Sequence, residues 1–334
     1  MPRKTFRFKI TSDELTKQIN PKNLDLTKRF LKEKSTRASD KTIVVYESNM
    51  TIFFTWNLLH NDNKFFVEIK KLEFADFFTF AVDELKVGSS KINNFRSVLS
   101  SFSSFIEKFY DEDYAGFRNV ILKVVESSPK DIRREKTILT DEQIESLLEF
   151  LRKKYKQQAC WLALAVTSGA RFSELLLFET TLIDENRTAF GDLFLETTRQ
   201  IKTKGRGKSG KLLYKYILRE KFLPYYNEWL EERKKILKKA GVTHDFLFIK
   251  KNGQPATPTT VRTWIEGFEK HLKVPFYAHS CRHRLTTLLS KKNIPPNLIK
   301  EIMGWSSLEL IQVYDDTTAR DREYPELDAL KGKL

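Results

Sequence analysis

Between Ser127 and Lys136 the chain reads SSPKDIRREK, with one proline, a cluster of basic residues and no apolar periodicity. Such a stretch cannot thread a hydrophobic interior, so the residues before it and after it must each close their own core. At 334 residues there is chain enough for two domains of ordinary size. The division expected is an N-terminal extension over 1–23, a helical domain over 24–126, a basic linker over 127–138, and a second domain with a C-terminal tail over 139–334.

From about Leu24 the apolar residues recur at helical spacing over Ile43 to Leu59, Leu72 to Leu85, Ile92 to Tyr110 and Phe117 to Val125. Breaks at His60 to Lys64, Val87 to Ser90 and Asp111 to Gly116 make this a bundle of four or five helices. After the linker, Thr140 and Gln143 form a capping-box pattern ahead of Ile144, Leu147, Leu148 and Leu151. The next segment, Gln157 to Thr167, is nearly all apolar and predicts a helix buried on most sides. Strand-like stretches follow at Thr188 to Leu195, Thr198 to Lys204 and Leu212 to Leu218, and helical patterning returns from Phe222. The fold class is mainly α, an N-terminal helical bundle with a C-terminal mixed α/β domain that carries a small antiparallel sheet.

The formal net charge is +15. Lys and Arg that neutralise phosphates release condensed counterions, which makes nucleic acid the leading partner. No apolar run approaches the roughly 18 residues that a membrane span would need. The first twenty residues alternate charge with apolar side chains, so they contain no signal core, and two cysteines, Cys160 and Cys281, form no disulfide framework or zinc quartet. A cytoplasmic, nucleoid-associated protein is expected.

Two motifs look chemical and are better explained otherwise. Gly205, Gly207 and Gly210 spell GxGxxG, but the residues after them, KLLYKYIL, read as a strand where a dinucleotide fold needs a helix. A hairpin turn accounts for the glycines. His279 and His283 stand four apart, yet Ser280 occupies the place of a zinc peptidase's glutamate and no third ligand is suggested nearby, so no metal is expected.

Three separated segments supply what phosphoryl transfer to DNA requires. In TSGARFSELLLF, Gly169 can end one helix while Arg171 opens the next, with Glu174 one turn along. In AHSCRHRLTTLLS, His279 and Arg282 share a helix face, pairing a titratable imidazole with a permanent bidentate cation. In IMGWSSLELIQVYDD, Gly304 ends a short helix that Pro295 and Pro296 begin, Ser306 and Glu309 resemble a capping box, and Tyr314 lies near the end of the helix that follows.

In order, residue type and spacing the three segments resemble the signature of the tyrosine recombinase, or phage integrase, family. Ser168 to Glu174 resembles its first box, T-G-x-R-x-S-E, with serine in the first place; His279 to His283 matches H-x-x-R-H; Trp305 and Tyr314 keep its nine-residue interval before the tyrosine. Trp305 is a departure, since most relatives have histidine there, although the Cre-like branch also has tryptophan. An indole N–H can donate to a phosphate oxygen but cannot move a proton at accessible pH. The family also holds a lysine at a β-hairpin tip, for which Lys204 beside the glycine turn and Lys202 on the same strand face are both candidates, with Lys208 and Lys211 gripping backbone phosphates.

The resemblance implies a core-binding helical domain and a catalytic domain that cleaves and rejoins double-stranded DNA through a 3′-phosphotyrosyl bond, without metal or cofactor. Arg171, Arg282, His279, Trp305, a hairpin lysine and Tyr314 would be catalytic, with Glu174 and His283 in support. It further implies a tetramer on two DNA sites, an accessory DNA-bending or directionality protein, and a role in mobile-element integration or excision or in resolving DNA dimers. The tail Glu323 to Leu334 would dock on a neighbouring subunit, and Met1 to Asn23 is too short for a separate arm-binding domain. A type IB topoisomerase or a non-catalytic DNA-binding protein of the same fold are the rival readings.

Overall fold

The structure is a computed structural model that describes residues 10–124, 139–203, 205 and 210–314. The chain folds as two compact units that divide near Arg134. The whole linker expected over 127–138, the tail from Asp315 onward, Lys204 and Lys208 lie outside the described residues.

The first unit is all helical: α1 (Asp13–Gln18), α2 (Pro21–Ser35), α3 (Asp40–His60), α4 (Lys71–Asp83), α5 (Ser89–Phe109) and the single turn α6 (Ile121–Val124). Its core is crowded with phenylalanine. Phe53 packs edge-on to Phe77 at 4.9 Å between ring centroids, and Phe66 packs edge-on to Phe102 at 4.7 Å. Offset and edge-to-face ring pairs add to the area they bury, so an aromatic core of this kind needs no polar partner to hold its geometry.

The N-terminal boundary differs from the one read from sequence. Ile19 is buried in this core and Asn23 is fully buried. Asn23 donates its amide N–H to the Lys64 carbonyl at 2.9 Å and accepts from the Phe66 backbone N–H at 2.9 Å. The extension expected over 1–23 is therefore part of the packed unit, since Ile10 also packs against this core and α1 carries helix back to Asp13. A lone isoleucine and an asparagine give no apolar periodicity, so this edge is invisible to a hydrophobic pattern.

The second unit is built around α8 (Lys156–Ser168), which follows α7 (Asp141–Lys154) and precedes the short α9 (Phe172–Leu175). Thr140 caps α7 as the sequence predicts, its hydroxyl accepting from the Gln143 N–H while the Gln143 side chain accepts from the Thr140 N–H. Every residue of α8 from Ala159 to Ser168 is buried. A helix apolar all round has to be enclosed, and α8 is the post against which the rest of the unit packs.

The strands are shorter than expected: β1 (Thr188–Ala189), β2 (Phe194–Glu196), β3 (Ile201–Thr203), β4 (Lys211–Leu213) and β5 (Tyr216–Leu218). The single strand read over Thr188 to Leu195 is a hairpin, turned at Phe190, Gly191 and Asp192, all with positive φ. The strand read over Leu212 to Leu218 splits in two. Its first half pairs with β3 as a two-stranded ribbon, and its second half joins an antiparallel sheet in the order β1-β2-β5. The two strands of the ribbon pair antiparallel, as the expected hairpin requires, with Thr203 opposite Lys211, while residues 206–209 of its turn lie outside the described residues.

The remaining helices are α10 (Arg219–Ala240), α11 (Pro258–Leu272), α12 (Ala278–Lys291), α13 (Pro296–Met303) and α14 (Glu309–Tyr314). A small second core of Phe194, Tyr216, Leu285, Leu289, Ile299, Ile302, Met303 and Trp305 ties the sheet to α12, α13 and α14. No helix among the described residues is long and apolar enough to cross a membrane.

Candidate active site

Two helix ends and one guanidinium set the geometry. Gly169 closes α8 with φ 57°, and Gly304 closes α13 with φ 64°. A Cβ on Gly169 would stand 2.7 Å from Met303 Cε and one on Gly304 would stand 2.8 Å from Leu213 Cδ1. Left-handed backbone and close neighbours together demand glycine at both places. The carbonyls left over at these ends converge on Arg282, which donates from Nη1 to Gly169 O at 2.8 Å and from Nη2 to Met303 O at 2.6 Å. A cation at two helix C-termini satisfies orphan acceptors and sits favourably at the negative ends of both helix dipoles.

Arg282 is fully buried. Burial first, and Arg171 second, push its pKa down to about 10, against the opposing effects of Glu174 and Tyr314, so it stays charged at neutral pH. Its guanidinium carbon lies 5.3 Å from the centroid of the Trp305 ring and 5.6 Å from that of Tyr314. Those two rings stack on each other at 5.1 Å. Arg282 therefore lies beneath an aromatic lid.

Tyr314 is half-buried, and its hydroxyl lies 2.8 Å from His279 Nε2. The His283 ring packs against the same tyrosine at 4.6 Å. His279 is accessible as a residue, but burial of the ring, and then the proximity of His283, Arg282 and Arg171, lowers its pKa to about 4. The imidazole is thus neutral at neutral pH and can accept from the phenol. The cap of α14 differs by one residue from the expected one, since the Glu309 N–H donates to Ser307 Oγ at 3.2 Å and not to Ser306.

Arg171 is the N-cap of α9, and its side chain is partly open to solvent. It is held by Glu174 at two points: its backbone N–H donates to Oε2 at 2.9 Å and its Nη1 donates to Oε1 at 2.7 Å. Glu174 is buried and meets a second cation that the sequence reading passed over. Lys215 Nζ lies 2.8 Å from Glu174 Oε2, with side-chain exposure of 2% and 1% for the two partners. Burial works against ionisation of Glu174, yet Lys215 and then Arg171 outweigh it and hold the carboxyl down at about 2.

The structure thus gathers Arg171, Glu174, His279, Arg282, His283, Trp305 and Tyr314 in the second unit. Lys202 is exposed on β3, between buried Ile201 and Thr203, as strand alternation requires. Arg282 Nε and Trp305 Nε1 are among the buried polar atoms of the described residues that have no hydrogen-bond partner, and both lie in this site. Unmade donors of this kind are costly, and their presence beside Arg171 gives the site the character of a cradle for an anionic oxygen.

The model of the phage integrase family matches residues 137–320. A prophage-derived recombinase-like protein of Bacillus subtilis, YomM, is 26% identical over 86% of this chain and 79% of its own length. The tyrosine recombinase XerC of the same species is 26% identical over 83% of this chain and 86% of its own. Among solved structures, XerH bound to its difH substrate before cleavage superposes with a TM-score of 0.66 at 20% identity, covering 93% of this chain and 96% of that one. The Tn1549 transposon integrase in complex with transposon right-end DNA gives a TM-score of 0.64 at 18% identity over 92% of this chain and 99% of that one.

Proposed function

The chain belongs to the phage integrase family of tyrosine recombinases, and we propose that it exchanges DNA strands by attack of Tyr314 on a backbone phosphate. It is a tyrosine-type site-specific recombinase. The observation that carries the mechanism is a phenol hydroxyl 2.8 Å from a neutral imidazole, on a ring that packs against a buried guanidinium.

In this reading the Tyr314 oxygen attacks phosphorus in line, forming a 3′-phosphotyrosyl bond and releasing a 5′-hydroxyl. A phenol is protonated at neutral pH and attacks slowly until a base relieves it of its proton. His279 is that base. Its proton affinity is low in the free protein because of burial and neighbouring cations. A phosphodiester bound at Arg171 brings negative charge that offsets those cations, so the imidazole becomes a better base when the phenol proton has to leave.

Arg171, partly open, meets the phosphate first. Arg282 contributes its Nε and Trp305 its indole N–H as Tyr314 moves with α14 to reach phosphorus and uncovers them. The departing 5′ oxygen takes its proton from a hairpin lysine, Lys202 or Lys204. The ester energy is kept in the covalent adduct, so religation to a second strand needs no nucleotide cofactor and no metal.

The positive balance of the chain and the DNA-bound structures among its fold neighbours support double-stranded DNA as partner. A prophage-derived relative and a transposon integrase of the same fold favour integration or excision of a mobile element, while XerC relatives keep resolution of DNA dimers in view. Exchange between two sites calls for several protomers, which we take to be four, with an accessory DNA-bending or directionality protein setting direction.

Trapping on a nicked suicide duplex tests the mechanism. The native protein should become covalently attached, and Tyr314→Phe should bind the same duplex without attaching. An adduct that persists in the phenylalanine variant would move the nucleophile elsewhere and end this reading.

A further inference from the structure

Lys215 lies between β4 and β5, where the chain leaves the ribbon and enters the three-stranded sheet. Its backbone is fixed at both ends by buried Thr197, which accepts from the Lys215 N–H at 3.0 Å and donates its own N–H to the Lys215 carbonyl at 3.0 Å. From there the side chain runs inward until Nζ meets Glu174 Oε2 at 2.8 Å. The same ammonium lies 3.8 Å from where a Cβ on Gly304 would stand, under the turn that leads to Trp305.

Burying this lysine is costly. Desolvation lowers its pKa, and Glu174 opposes that while Arg282 and Arg171 add to it. Two well-packed apolar side chains in place of a buried ion pair are often neutral or stabilising, so stability alone gives weak reason for Lys215 and Glu174 to be there. What the pair supplies is a fixed carboxylate. With Oε2 held by Lys215, Glu174 can turn only so far, and its other oxygen fixes Nη1 of Arg171 at 2.7 Å.

We propose that Lys215 is a positioning residue of the strand-exchange site: acting through Glu174, it locks the guanidinium of Arg171 in the orientation that receives the scissile phosphate. The inference rests on the cleavage reading given above and extends it to a residue outside the three motif segments. Lys215 itself touches no DNA and gives up no proton. That distinguishes it from the hairpin lysines, whose task is to protonate the leaving oxygen.

The test uses the full chain and a nicked duplex bearing a sequence that this protein selects from a random pool. Attachment of the native protein, and none with Tyr314→Phe, establishes the underlying reading; no attachment by the native protein would sink that reading first. Lys215→Met should then bind the duplex with Kd within about twofold of native while the single-turnover rate of attachment falls about 100-fold, the loss typical of a reacting group displaced by about an ångström. Lys215→Arg should recover part of the rate.

Two further readouts separate positioning from other roles. A duplex with sulfur at the bridging 5′ position leaves without a proton, so it would rescue a missing acid; Lys215→Met should stay slow on it. Glu174→Gln should be slow as well, and the double variant Glu174→Gln/Lys215→Met no slower, because both substitutions break one linkage. Rescue by sulfur, a Lys215→Met rate within threefold of native, or losses that multiply in the double variant would each overturn the proposal. The double variant buries no charge at this point, so it still decides the matter should Lys215→Met fail to fold.

Discussion

The two units bury their interiors in opposite ways. In the first, rings of Phe30, Phe53, Phe66, Phe77 and Phe102 fill the core, and its fully buried polar side chains, such as Asn23 and Asn57, are uncharged and bond to backbone carbonyls. In the second, at the point where α8, α12 and α13 meet, a guanidinium, an ammonium and a carboxylate are packed out of water within one cluster. An apolar core is held by volume, and a charged one by partners. The first can absorb a change of shape over many neighbours, whereas the second fails when a single partner is lost.

The contrast breaks most completely at Tyr314. Tyr314→Phe keeps the ring stacked on Trp305 and removes only the hydroxyl, so covalent attachment to DNA should vanish while the melting temperature stays within a degree or two; denaturing gels and a thermal scan read both. Phe53→Ala in the first unit should do the reverse. It should cost about 3–5 kcal/mol of stability in chemical denaturation, as large aromatic truncations do, and leave the rate of attachment per folded, DNA-bound molecule unchanged.

Arg282→Met should fall between these two, harming both properties. It should slow attachment roughly 100- to 1,000-fold, the range for loss of a charge-stabilising donor, and lower the melting point as well, because two helix-end carbonyls lose their donor. A variant that lost rate without stability would mean that those carbonyls find other partners. Smaller effects follow from pH. If neutral His279 is the base, the rate at limiting DNA should hold from neutrality down toward about 4, with no inflection near 6.5.

Glu174 gives the gentlest test. Its carboxyl is held at about 2 in the folded protein, against the ordinary 4.5. An unfolded chain therefore binds a proton on this group before the folded one does, so the stability it contributes is full above pH 4.5 and is lost as pH falls toward 2. Glu174→Gln should flatten that part of the stability profile, measurable as melting temperature against pH.

How much of this was legible follows from what each residue answers to. Gly169, Arg171, Glu174, His279 and Tyr314 stand at fixed intervals because helix ends and helix turns space them, and intervals survive in a linear string. Lys215 does not. It interrupts an apolar run, LLYKYIL, that reads as one strand, and only the division of that run between two sheets turns its side chain inward. A lone charge in such a run was the available signal, since a buried ammonium must find a counter-ion. The turn at Phe190 to Asp192 was hidden for a similar reason, because two of its three residues adopt a backbone conformation usually left to glycine.

Arg282 has one more consequence, which concerns ionic strength. Its charge is enclosed by Gly169, Met303, Trp305 and Tyr314, beyond the approach of dissolved counter-ions. Added salt should loosen the hold of surface lysines on DNA steeply, yet barely alter the rate once the duplex is saturated, so the affinity and the turnover of this protein should respond to electrolyte independently.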